Sequence, residues 1–170
     1  MSKKTVLFVC IGNACRSQMA ETFARAYGSD VLDVASAGLA PAVSIPELTV
    51  RVMLEKNLRM EGQYPKPLDT WAGTVFDVAI NLSGRPLPPG VASEVETWPV
   101  SDPIGRDELF HRQTRDEIEG LVMRLIIASR AGRSAGLPRP APPSRSIEPA
   151  ATPAGSGAPE PSPRRRKFLR

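Results

Sequence analysis

Cys10 and Arg16 are separated by five residues in the stretch Val9-Cys10-Ile11-Gly12-Asn13-Ala14-Cys15-Arg16-Ser17. A cysteine and an arginine at the two ends of a short loop suit oxyanion chemistry. Backbone N–H groups in such a loop can converge on an anion, and a helix that follows adds the positive end of its dipole. Arg16 adds a planar fork that contacts two oxygens at once and stays charged. The same positive field favours the thiolate of Cys10, which is the nucleophilic form. Gly12 allows close backbone approach, and Asn13 tolerates a left-handed conformation. Ser17 has two open roles, donating its hydroxyl to the thiolate or capping the helix. The expected oxyanion-binding set is therefore Ile11, Gly12, Asn13, Ala14, Cys15 and Ser17, around Cys10 and Arg16.

The elements on either side must hold that loop. Thr5-Val6-Leu7-Phe8-Val9 is an apolar run of strand length. After the loop, Met19, Ala20, Phe23, Ala24 and Tyr27 recur at helical spacing. A strand, a tight turn and a helix meet at the cysteine.

The segment VCIGNACRSQMAE resembles the signature of the low-molecular-weight protein tyrosine phosphatase family. It is closer still to that family's arsenate reductase branch, where Gln commonly follows Arg-Ser. The resemblance covers roughly residues 5 to 128. It implies Cys10 as nucleophile, Arg16 as oxyanion clamp, Asn13 as a loop-shaping residue and Ser17 as a thiolate stabiliser. It also implies that Asp102, in Asp102-Pro103, is a general acid: an expelled oxygen leaves more readily when a carboxylic acid protonates it. The family often has an aromatic residue after this proline, and here it is Ile104. Ser36, in Ser36-Ala37-Gly38, is expected to support the loop near Asn13 from behind.

Further strands are expected over Val31–Gly38, Thr74–Leu82 and Glu94–Val100. Ser44-Ile45-Pro46-Glu47 has capping-box spacing, which predicts a helix through about Asn57. A last helix is expected over Asp107–Ser129, with Leu109, Phe110, Ile118, Leu121, Val122, Leu125 and Ile126 as its apolar stripe, Arg112 and Arg115 off it, and His111 at the surface. Tyr64 and Trp71 are aromatic candidates for a pocket wall, although aromatics more often serve a core. The pattern predicts an α/β fold: a three-layer sandwich with a four-stranded parallel sheet, helices on both faces, and a disordered C-terminal tail.

Residues 1–130 are expected to form the phosphatase-like catalytic domain and 131–170 a disordered Pro/Arg-rich tail, since nine of the 18 prolines fall in the latter. The tail's eight basic against two acidic residues outweigh the whole chain's formal +4, so the first 130 residues are slightly acidic. That argues against specific nucleic-acid binding by the domain. No run is long enough to span a membrane, and no signal segment is visible. Two cysteines and one histidine make no metal set, and no cofactor is implied. A cytoplasmic, reducing compartment is expected.

Three functions compete. The first is hydrolysis of a phosphorylated protein or small phosphomonoester through a Cys10 phosphoenzyme. The second is arsenate reduction by Cys10 and an external thiol. The third is weakly active oxyanion or partner binding. Thioredoxin-coupled reductases of the family carry a further cysteine pair after the third strand, and Leu82-Ser83-Gly84-Arg85-Pro86-Leu87-Pro88-Pro89 has none. This ranks the phosphatase first. Cys15 is left with two roles, a thiol that captures oxidised Cys10 or a packing residue.

Overall fold

The computed structural model describes residues 3–132. The expected tail, from residue 133 onward, lies outside the described residues. Strands β1 (Lys4–Cys10), β2 (Leu32–Gly38), β3 (Phe76–Asn81) and β4 (Ala92–Thr97) form one sheet in the order β2-β1-β3-β4. Every pairing is parallel. Helices α1 (Arg16–Gly28), α2 (Glu47–Leu54) and α3 (Glu108–Arg130) complete the α/β fold.

The two faces of the sheet are covered unequally. On one face Val6, Phe8, Val78 and Ile80 pack with Met19 and Phe23 of α1, Val52 and Met53 of α2, and Ile118, Val122 and Leu125 of α3. On the other, Leu7, Val9, Ala35 and Ala37 pack under Leu68 and Trp71 of a single 3-10 turn and under Leu87 and Val91. The second helical layer is thus one turn plus loops. Chain direction explains this. The step from β1 to β2 goes one way and carries α1 over the first face. The steps to β3 and β4 go the other way, so a right-handed connection must end over the opposite face, and the sequence there is Pro65, Pro67 and Ser83–Gly90, which favours turns over helix.

Several boundaries differ from expectation. α2 has no side-chain cap, and Pro46 rather than Ser44 takes the cap position. The chain leaves α2 through a left-handed Asn57 (φ 57°), with Leu58 N–H donating to Met53 O at 3.2 Å. β4 ends at Thr97, before Trp98 and Pro99. On α3, Leu109 is exposed, while His111 and Arg115 are buried. The buried stripe runs through 111, 115, 118 and 122, so the helix turns His111 inward, where its Nδ1 lies 3.0 Å from Asp107 O. Arg115 Nη1 is satisfied by Val52 O and by Glu55 Oε2, each at 2.7 Å. Glu55 also accepts from Arg112 Nη2 at 2.7 Å, so this carboxylate ties α2 to α3.

Candidate active site

β1 ends at Cys10, and α1 begins at Arg16. The loop between them lies at the carboxyl end of a central strand, where parallel sheets bind ligands. Its carbonyls are turned outward one by one. Leu39 N–H donates to Cys10 O at 3.1 Å, Ala40 N–H to Ile11 O at 2.8 Å and Ala42 N–H to Gly12 O at 2.8 Å. Residues 39–42 therefore strap the loop from outside, and the position that donates nothing is Pro41, which has no N–H. Gly38 lets β2 come this close. A Cβ there would stand 2.8 Å from Ile11 O and 2.9 Å from Asn13 N.

Cys10 Sγ lies 3.0 Å from Ser17 Oγ and accepts the Asn13 N–H at 3.2 Å. Asn13 is left-handed (φ 46°) and fully buried. Its side chain has all four bonds a carboxamide makes. Nδ2 donates to Ser17 Oγ and Ser36 Oγ, both at 2.8 Å, and Oδ1 accepts from Lys66 N at 2.8 Å and Gln18 Nε2 at 3.1 Å. Because Asn13 donates to Ser17, the serine's own hydrogen is free to donate to the sulfur. Ser36, likewise an acceptor from Asn13, donates to Glu21, a buried carboxylate that also binds Arg25. Ser17 thus faces the sulfur and not the helix end, whose cap position is Cys15 with no side-chain cap bond.

Arg16 is held from the sheet. Nη1 donates to Leu82 O at 2.7 Å and Val100 O at 3.2 Å, and Nη2 to Asp102 Oδ2 at 2.6 Å. Arg16 Nε is buried with no partner in the protein, the one such side-chain nitrogen or oxygen among the described residues. Buried donors are rarely left unpaired, which marks this nitrogen as a candidate contact for a bound acceptor. Beside it opens a cavity of about 230 Å³, lined by Cys10, the loop, Arg16, Ala42, Asp102 and Ile104.

Cys15 is buried, lies 2.8 Å from Thr49 Oγ1, and has its thiol pushed up to about 11, chiefly by burial. It stays protonated near neutral pH. Tyr64 and Trp71 border a separate groove of about 540 Å³ behind the loop, not the cavity at Cys10. Among the described residues no group of three or more His, Cys, Asp or Glu side chains is placed to hold a metal, and no helix is long and apolar enough to cross a membrane.

The structure brings the loop residues, Cys10, Arg16, Ser17, Ser36 and Asp102 together. The sequence reading missed the strap 39–42, the spacer role of Gly38, and the buried Gln18 and Glu21. Gln18 sat in the quoted signature. Glu21 follows Ser17 by one helical turn, which was a usable signal. The strap's donors are backbone groups and leave no mark on side-chain identity.

The sequence model described as "Low molecular weight phosphotyrosine protein phosphatase" matches residues 5–87. A glutaredoxin arsenate reductase from Synechocystis sp. is 36% identical over 127 residues, covering 72% of this chain and 96% of that protein. An arsenate reductase from Bacillus cereus is 31% identical, with 72% and 94% covered. A solved arsenate reductase in the phosphate-binding state superposes with a TM-score of 0.68 at 34% identity, covering 73% of this chain and 97% of that one. With the Cys10–Ser17 loop inside the matched stretch and such relatives covered along nearly their whole length, the chain belongs to the low-molecular-weight phosphotyrosine protein phosphatase family.

Proposed function

We propose that this protein is an arsenate reductase in which Cys10 forms the arsenic–sulfur bond and an external thiol completes the reduction. The observation that carries this reading is the likeness to arsenate reductases along nearly their whole length. It reverses the order expected from sequence, where the phosphatase came first.

In the first step the Cys10 thiolate attacks arsenic, and one As–O bond breaks. Asp102, at the cavity mouth, supplies the proton with which that oxygen leaves as water. Arg16 Nε and the loop amides hold the remaining oxygens. In the second step an external thiolate attacks Cys10 sulfur. The S–As bond breaks, and its electron pair stays on arsenic. Arsenic(V) becomes arsenic(III), released as arsenite, and Cys10 is left in a mixed disulfide with the external thiol. A second thiol reduces that disulfide. The net change consumes two thiols and yields one disulfide and one water.

The thiols come from outside because the chain's one other cysteine, Cys15, is buried, bonded to Thr49 and held protonated. A glutathione- and glutaredoxin-type system fits this need.

The second reading is phosphomonoester hydrolysis. Asp102 favours it, because an ester needs both leaving-group protonation and activation of water, and one carboxylate at the mouth can do each in turn.

The test supplies the full chain with arsenate and glutathione, with and without glutaredoxin, and separately with an aryl phosphate. Arsenite should form with the thiols, and Cys10→Ser should form none while still binding oxyanion. Aryl phosphate turnover without arsenite from any thiol system, thioredoxin included, would return the protein to the phosphatases.

A further inference from the structure

Four successive loop carbonyls, from Cys10 to Asn13, are each held by a donor from outside the loop. Three are held by the backbone amides of Leu39, Ala40 and Ala42. The fourth, Asn13 O, has no backbone donor from this strap. It is held by a side chain, Gln18 Nε2, at 3.0 Å.

In a trans peptide the C=O and the next residue's N–H point in opposite directions. Fixing a carbonyl outward therefore aims the following amide inward. The loop shows this once directly: Gly12 O is held by Ala42 from outside, and the amide of the same peptide, Asn13 N–H, donates inward to Cys10 Sγ at 3.2 Å. The same rule applied one peptide later makes the Ala14 N–H an inward donor, and Gln18 the group that keeps it so. Ala14 lines the cavity beside Arg16.

Gln18 is itself well fixed for this task. It is fully buried, its Nε2 also reaches Tyr64 O at 2.9 Å and Asn13 Oδ1 at 3.1 Å, and its Oε1 accepts from Gln63 Nε2 at 3.0 Å. Gln63 in turn accepts from Thr22 one helical turn after Gln18.

We propose that Gln18 is a positioning residue for oxyanion binding: by holding the Asn13 carbonyl outward, it aims the Ala14 amide at the bound anion. The proposal rests on the reading of the loop as an oxyanion site and holds for either reaction. An apolar residue of similar length releases the carbonyl, and the peptide is then free to rotate and withdraw the amide. Losing one donor to an anion weakens binding on the order of tenfold or more.

The experiment titrates inorganic phosphate, and separately arsenate, into ¹⁵N-labelled full chain and its Gln18→Met variant, with melting curves recorded for both. In wild type the Gly12, Asn13 and Ala14 amide resonances should shift on binding. In Gln18→Met the Ala14 shift should shrink selectively, with the dissociation constant raised about tenfold and the variant still folded. Gln18→Asn, too short to reach but polar, should behave the same way and serves if the methionine variant does not fold. An unchanged Ala14 shift with unchanged affinity in a folded variant overturns the role of Gln18. Equal loss of all three amide shifts overturns it too, because the loop as a whole then depends on residue 18. If wild type itself shows no loop shift with either anion, the oxyanion reading of the loop fails first.

Discussion

Asn13→Ala should be among the most damaging single substitutions in this protein, although the residue touches no substrate through its side chain. The replacement acts in two ways. The backbone stays at φ 46°, where an ordinary L-residue is disfavoured by roughly 1 kcal/mol or more and asparagine is tolerated. In addition, four hydrogen bonds vanish in a fully buried place. Gln18 Nε2 keeps other acceptors, and the two serine hydroxyls keep Cys10 and Glu21. The Lys66 N–H has no other acceptor among the described residues and is left unpaired, which costs about 1–3 kcal/mol. Together these reach roughly 3 kcal/mol, a large part of the ~5–15 kcal/mol that holds a domain folded. The melting temperature should fall by roughly 10 °C. Urea and thermal denaturation of wild type, Asn13→Ala and Asn13→Gly measure it. Glycine lacks the same hydrogen bonds but accepts the left-handed backbone, so it should recover about 1 kcal/mol over alanine. A loss in Asn13→Ala below about 1 kcal/mol, or a glycine variant no more stable than the alanine one, would refute the reasoning.

Other outcomes follow from the same geometry. Asp102→Asn should slow turnover of aryl phosphates with basic leaving groups by ~10²–10⁴-fold and those with acidic leaving groups far less, and equal losses in steady-state kinetics would make Asp102 positional only. Iodoacetamide at pH 7.5 should modify Cys10 and spare Cys15, whose thiol burial holds near 11; peptide mass spectrometry that finds Cys15 labelled first would contradict this. The hydrogen bonds from Arg112 and then Arg115 hold the Glu55 carboxyl down at about 2. Its stabilising pairing is therefore complete above the ordinary value of 4.5 and is lost as pH falls from there toward 2. The urea midpoints of wild type and Glu55→Gln should thus converge across that window, and a constant gap down to pH 2 would deny the linkage.

The sheet, the placement of the Cys10–Ser17 loop and the position of Asp102 were legible in the sequence because each depends on local pattern. Strand runs such as Val6–Val9 and Val78–Ile80 carry their burial in composition, and the cysteine, glycine, asparagine and arginine of the loop carry their chemistry in type. Ser36 was legible through its Ser-Ala-Gly context and stands 2.8 Å from Asn13 Nδ2. What failed to show depends on long-range partners. Residues 39–42 serve the loop through backbone N–H groups that any residue but proline offers. His111 and Arg115 read as surface residues by polarity, yet α3 turns them inward, and Val52 O, 63 positions away from Arg115, is what makes the burial of that guanidinium tolerable. The 3-10 turn Leu68–Trp71 is too short to produce a period.

Arg16 also ties separate parts of the chain together. Its Nη1 bonds the carbonyls of Leu82 and Val100, where the chain leaves β3 and where it turns back after β4. The guanidinium is therefore a rivet between the first crossover and the open edge of the sheet. Under the proposed function, an oxyanion paired with Nε would hold this guanidinium in place, and whatever binds only the folded form stabilises it by mass action. Occupancy of the cavity is then felt along β3 and β4. Hydrogen exchange at those strand ends should then slow as oxyanion is added, which makes it a gauge of how full the site is.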